Sequence, residues 1–125
     1  MQTNSGAQQE LAVVVGATGA FGQAIVSRLA AAGLGVVAVA RRADSLNALK
    51  AQVPGLVACA ADISSDSSIE VIADAVDRPV RMVVHGPGVA VAGGILAAPT
   101  GSMVDAVNIK VGGLLRLVRA VDGRL

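Results

Sequence analysis

Apolar positions along the chain fall into two kinds of run. The first kind is short, unbroken and rich in β-branched residues: Leu11-Ala-Val-Val-Val15, Gly35-Val-Val-Ala-Val-Ala40, Leu56-Val-Ala-Cys-Ala-Ala61 and Val80-Arg-Met-Val-Val-His85. Runs that do not alternate with polar residues are the pattern of strands covered on both faces, and such strands belong to parallel sheets. The second kind repeats at three and four. Ala20 to Ala32 sets Phe21, Ala24, Ile25, Leu29 and Ala32 on one side and is closed by Gly33, which predicts a helix with a glycine stop. Ser45 to about Gln52 places Leu46 and Leu49 on one face ahead of Pro54. A third helix opens with Ser67-Ser-Ile-Glu70, the spacing of a capping box, and runs to about Val76. The longest periodic segment, Ser102 to about Val121, contains Gly112-Gly113, read as a point where another backbone comes close. Four strands and about four helices in the order β-α-β-α-β-α-β-loop-α specify right-handed crossovers. The expected fold is α/β, an open, doubly wound parallel sheet.

A chain of 125 residues allows about one domain. Ala, Val and Gly supply nearly half of it, against one Phe and no Tyr or Trp, so the core must be built from small, closely packed side chains. A net charge of +1 gives no field that would draw nucleic acid or an anionic membrane. The single cysteine, Cys59, excludes an internal disulfide and a cysteine-cluster metal site, and is read as a small buried hydrophobe; no metal is expected, and a cytoplasmic location is. Residues 1–10 are polar without a basic start, which reads as a disordered lead-in to a domain at 11–125 and not as a signal peptide. Met82 to Val104 lacks charge, but its glycines, prolines and His85 make a poor membrane helix, so no membrane partner is expected.

The first strand leads directly into Gly16-Ala-Thr-Gly19-Ala-Phe-Gly22 and then into the first helix. Small residues there allow a tight turn, expose backbone N–H groups at a helix start and admit a pyrophosphate close to the main chain. The strand, turn and helix context turns a glycine triplet into a dinucleotide-binding candidate. A nucleoside-triphosphatase loop would need Gly-Lys-Ser or Gly-Lys-Thr, whereas this one continues Gly22-Gln-Ala. Arg41 lies nineteen positions after Gly22, at the end of the second strand, close to the roughly 20 at which the cofactor-selecting residue is expected. An acid there would accept the ribose hydroxyls of NAD. Arg41, with Arg42 beside it, instead favours the extra phosphate of NADP, although the pair could equally be a solvated surface feature. A methyltransferase-type nucleotide fold would want an acid at that place, and Arg41 speaks against it.

These residues resemble the short-chain dehydrogenase/reductase family, over nearly the whole chain after residue 10. The resemblance implies a Rossmann-type sheet with strand order 3-2-1-4 and onward. It implies that Gly16, Thr18, Gly19, Ala20, Phe21 and Gly22 hold the pyrophosphate of NADP(H), that Arg41 and Arg42 meet the 2′-phosphate, and that Asp62 and Ile63 hold the adenine. Gly86 and Gly88 would approach the cofactor within His85-Gly-Pro-Gly88, which departs from the family's Asn-Asn-Ala-Gly and lacks the amides that tie its central strands. Asn108 looks like the helix asparagine that helps hold a relay water in catalysis; its other reading is a helix asparagine bonded to nearby backbone. The family's Ser and Tyr-x-x-x-Lys have no counterpart in a chain without tyrosine. His85 is read as structural, not as a replacement acid. The expected sheet would leave its fourth strand as a bare edge and the last helix half uncovered. Together these features imply the amino-terminal cofactor half of a longer NADP-dependent oxidoreductase acting on a small carbonyl or alcohol, with homo-oligomers pairing through the last helix. The alternative is a non-catalytic NADP-binding regulator.

Overall fold

The computed structural model describes residues 9–125. Its elements are β1 (Leu11–Val15), α1 (Ala20–Ala31), β2 (Gly35–Ala40), α2 (Ala43–Gln52), β3 (Val57–Ala60), α3 (Ser67–Ala75), β4 (Val80–His85), α4 (Gly94–Ala97) and α5 (Thr100–Val107). A π-helical turn at Asn108–Gly112 then leads into α6 (Gly113–Val121). All strand pairs are parallel and the sheet order is β3-β2-β1-β4. The expected α/β sheet is therefore present, with β1 at its centre.

Unbroken apolar strands follow from two packed faces. Leu11, Val13 and Val15 of β1 join Val37 and Val39 of β2 under α3 and α6, where Ile72, Leu117 and Val121 close the layer. Val14 joins Val36 and Ala38 on the opposite face, under Val26 of α1 and Leu46 and Leu49 of α2. Each buried Val, Leu or Ile contributes about 1.5–3 kcal/mol relative to exposure. Alanine and glycine let the helices approach without aromatic filling. Cys59 is buried in the first layer, its Sγ 3.8 Å from the carbonyl oxygen of Val71, and burial pushes its thiol pKa up.

Several boundaries differ from expectation. α2 begins at Ala43 and not Ser45, which brings Asp44 into a first turn where a carboxylate is favoured. β3 is shorter than the run 56–61 by one residue at each end. Asp66, and not Ser67, precedes α3 and makes no side-chain cap, while the Ser67 N–H donates to the Ser65 hydroxyl (3.3 Å). The Ser67 hydroxyl lies 2.9 Å from that of Ser65, so the expected capping box is absent. α4 falls in a segment read as loop. The last segment starts at Thr100, straight after Pro99, and is not one α-helix because the π turn divides it.

The lead-in expectation for residues 1–10 needs correction at its end. The Gln9 amide donates to the Gly33 carbonyl (3.0 Å) and accepts from Arg78, while the Glu10 carbonyl accepts from the Gly35 N–H. The rest of that stretch, 1–8, lies outside the described residues. β4 forms one edge, where Met82 is exposed, and Met103, Val104, Val107, Val111 and Leu114 expose an apolar face along the last helical segment. Among the described residues no helix is long and apolar enough to cross a membrane.

Candidate functional site

The chain reverses its direction of sheet-building between β1 and β4: β2 and β3 are laid on one side of β1, and β4 on the other. At such a switch point the two following loops diverge and leave a crevice at the carboxyl ends of the strands. A cavity of about 410 Å³ lies there.

The β1–α1 loop forms its floor. Gly16 turns with φ +83°, its N–H donating to the Val39 carbonyl at the end of β2 (3.0 Å). A Cβ on Gly16 would collide with the Gly86 carbonyl, and one on Gly22 would collide with the Gly16 carbonyl. Both clashes are against backbone, so neither position admits a side chain. Gly19 precedes α1 without any side-chain cap, and the N–H groups of Ala20, Phe21 and Gly22 have no partner among the described residues. The result is a glycine cradle with free donors at a helix start, suited to an anion. Gly16, Thr18, Gly19, Ala20, Phe21 and Gly22 all border the cavity, with Phe21 87% exposed at its rim.

Arg41 lines the cavity at the end of β2 and makes no ion pair among the described residues. Arg42 does not share this place. It is paired with Asp44 at 3.2 Å, away from the cavity lining, which corrects the expectation that it joins Arg41. The pairing draws the Asp44 carboxyl below its ordinary range through the Arg42 hydrogen bond and charge.

Asp62 and Ile63 follow β3 and border the cavity. The Ser64 hydroxyl (2.6 Å) and N–H (3.0 Å) both donate to Asp62 Oδ1. These bonds, helped by Arg41 and Arg116, hold the Asp62 carboxyl below its usual range and keep it ionised. Ile63 is buried, with one side in the core and the other on the cavity.

Gly86 and Gly88 also line the cavity. Only Gly86 is in close contact, against Gly16; a Cβ on Gly88 would meet open space, so the chain itself does not demand glycine there. Asn108 does not border the cavity, although its neighbour Ile109 does. The Asn108 amide donates to the Ser64 carbonyl (2.9 Å) and accepts from Arg116 (2.8 Å). Arg116 also reaches the carbonyls of Ile63 (2.9 Å) and Asn108 (3.2 Å) and the carboxylate of Asp66 (2.8 Å). Asn108 thus braces the loop after β3, the backbone-bonded reading of that residue extended to a carbonyl 44 positions earlier.

Sequence reasoning missed this Arg116 brace and the cavity positions of Val15, Val39, Ala40, Ala61, Pro87 and Ile109. The strand ends could have been found by their place beside the glycine loop. Arg116 carried no signal, because its partners, the carbonyls of Ile63 and Asn108 and the side chains of Asn108 and Asp66, are brought together only by the fold.

Comparison with known proteins agrees with this geometry. The family model described as short chain dehydrogenase matches residues 10–123. An uncharacterized oxidoreductase of Mycobacterium tuberculosis is 46% identical over 68 residues, covering 54% of this chain and 27% of that protein. A short-chain dehydrogenase structure from Streptomyces avermitilis superposes with a TM-score of 0.84 at 30% identity, covering 94% of this chain and 45% of that one. A variant actinorhodin polyketide ketoreductase, solved with NADPH, gives a TM-score of 0.82 at 28% identity, covering 90% of this chain and 46% of that one. The chain therefore spans less than half the length of each of these proteins.

Proposed function

Since the chain belongs to the short-chain dehydrogenase family, we propose that it is the cofactor-holding portion of an NADP(H)-dependent oxidoreductase. Its reaction would move a hydride between the nicotinamide and a carbonyl or alcohol substrate. The observation that carries the choice of cofactor is Arg41, a cation on the cavity rim without an ion-pair partner among the described residues, at a strand end that bears no acid.

Each wall of the cavity has a place in this proposal. The N–H groups of Ala20, Phe21 and Gly22 would receive the pyrophosphate, with Gly16 and Gly22 keeping side chains out of its path. Arg41 would grip the 2′-phosphate as a planar, bidentate donor. Asp62 and Ile63 would flank the adenine, one by its carboxylate and one by its apolar surface. Gly86, Pro87 and Gly88 would lie toward the nicotinamide, which when bound supplies or accepts the hydride. Asn108 enters as the brace that fixes the Asp62–Ser64 loop beside the adenine, and its proposed hold on a relay water is secondary. The chain contains no tyrosine, so the proton-handling Ser and Tyr-x-x-x-Lys are assigned to sequence outside these 125 residues. A cytoplasmic location, and pairing of copies through the exposed face of α5 and α6, belong to the same proposal. A non-catalytic NADP(H)-binding regulator is the second reading, favoured by His85-Gly-Pro-Gly88 in place of the family's amide pair.

The test is a fluorescence titration with NADPH and NADH. Arg41→Ala is expected to weaken NADPH binding by about 1.5–3 kcal/mol, the range for a hydrogen bond to a charged group, and to leave NADH nearly unaffected. Equal losses for both cofactors would show that Arg41 does not meet the 2′-phosphate. Turnover of simple ketones or alcohols by the full-length protein would exclude the regulator.

A further inference from the structure

The π-helical turn at Asn108–Gly112 lies beside the carboxyl end of β4, and one side chain joins the two. His85 Nε2 is 3.2 Å from the Ile109 carbonyl oxygen and 3.1 Å from that of Lys110. Carbonyl oxygens only accept, so Nε2 must carry the hydrogen. His85 Nδ1 is buried and has no partner among the described residues. A bare acceptor is tolerated there more readily than an unpaired N–H would be. Both ends of the ring therefore specify the same neutral tautomer.

The glycine pair explains how the ring reaches the helix. A Cβ on Gly113 would lie 2.8 Å from His85 Cε1 and 3.2 Å from its Nε2, so the imidazole occupies the space that glycine leaves. A Cβ on Gly112 would lie 2.9 Å from Asn108 Oδ1, which gives the second glycine to the Asn108 brace. The expected close approach at Gly112-Gly113 is thus real, but side chains make it and not another backbone. Lys110 Nζ adds a weaker tie to the Pro87 carbonyl at 3.3 Å. Ile109, whose carbonyl His85 holds, forms part of the cavity wall, as do Gly86 and Pro87.

We propose that His85 is a positioning residue: its Nε2–H pins the π turn to β4, and this sets Ile109 on the wall of the cofactor cavity. A tie from strand end to helix thereby replaces the amide ties between strands that the family resemblance leads one to expect. Its consequence for binding rests on the cavity being the nicotinamide-cofactor site.

Two measurements test it. Imidazole nitrogen correlation spectra of the unsubstituted chain, without cofactor, should show Nε2 protonated and Nδ1 bare. A ring protonated on Nδ1, or averaging between tautomers, overturns the assignment whatever the chain binds. In NADPH titrations, His85→Ala is expected to weaken binding roughly 2- to 10-fold, the equivalent of one neutral hydrogen bond. His85→Gln, whose amide N–H can reach the same carbonyls, should recover most of it. Gly113→Ala alone should also weaken binding by displacing the ring, and because its Cβ would lie 3.1 Å from Ile63 Cγ1 as well, a smaller loss should remain in the His85→Ala background. Unchanged affinity in His85→Ala, or additive losses in the double variant, would overturn the proposal. If the unsubstituted chain does not bind NADPH, the cofactor reading fails, and the spectra alone decide whether His85 pins the turn.

Discussion

β1 and β4 lie side by side, Val15 beside His85, and the loops that leave them wall the same cavity by opposite means. After β1 the chain is shaped by missing side chains: Gly16 and Gly22 fit only because nothing projects from them. The chain after β4 and after β3 is held instead by side chains that reach across the fold, His85 at the end of β4 pinning the π turn and Asn108 and Arg116 bracing the loop behind β3. The first loop is a rigid backbone cradle, whereas the second is a set of latches that can be opened one bond at a time.

The sharpest way to separate the two is to place a methyl group in the cradle. Gly22→Ala drives Cβ into the Gly16 carbonyl and the Ala17 backbone, neither of which can swing aside. A loss of about 3 kcal/mol or more in chemical denaturation is expected, together with loss of NADPH binding. A stable variant that still binds would show that the loop yields, and the comparison would fall.

A latch should cost less. Arg116→Met removes the bonds to Ile63, Asn108 and Asp66 and leaves the Asn108 side-chain oxygen Oδ1 without its partner, for an expected loss of about 2–3 kcal/mol. The cradle should persist, so the folded variant should still bind NADPH. If Arg116→Met abolishes binding in the folded state, the two regions are not independent.

Adjacent arginines give a finer contrast. Arg42 and Asp44 are an exposed pair, with side chains 75% and 74% accessible, so Arg42→Ala should change stability and NADPH affinity only slightly. A loss equal to that of Arg41→Ala would return Arg42 to the site. The smallest effect concerns Asp62, whose carboxyl is held low chiefly by Ser64. A depressed carboxyl stabilises the fold fully above its unfolded value near pH 4 and ceases to do so as pH falls through the folded value. The melting-temperature difference between the wild type and Asp62→Asn should therefore be present at pH 7 and shrink on acidification below about pH 4.

What could be read in advance divides along the same line. β1 and β2 were legible to the residue because burial on two faces leaves an apolar run with abrupt ends, and the half-exposed edge strand β4 was legible by its valine-rich run between Pro79 and Gly86. The cradle was legible because its requirement, no Cβ at set intervals between a strand and a helix, is local. Arg41 was legible by its distance from Gly22, but its neighbour was not separable from it, since only the start of α2 turned Arg42 toward Asp44. The capping box failed for a related reason. Ser65 and Asp62 organise the loop before α3 from further back than the helix signal extends.

Hydrophobic pattern and glycine spacing by themselves determined the alternation of strands and helices, the two-faced sheet and the glycine turn at the first helix start, because each depends on residues close together in the chain. Tertiary structure alone decided the π turn, the service of Asn108 and Arg116 as braces, and the lodging of His85 against Gly113. Those depend on groups 24 to 53 positions apart, whose hydrogen bonds end mostly on backbone carbonyls. Every residue carries a carbonyl, so no sequence pattern marks which of them a side chain will meet.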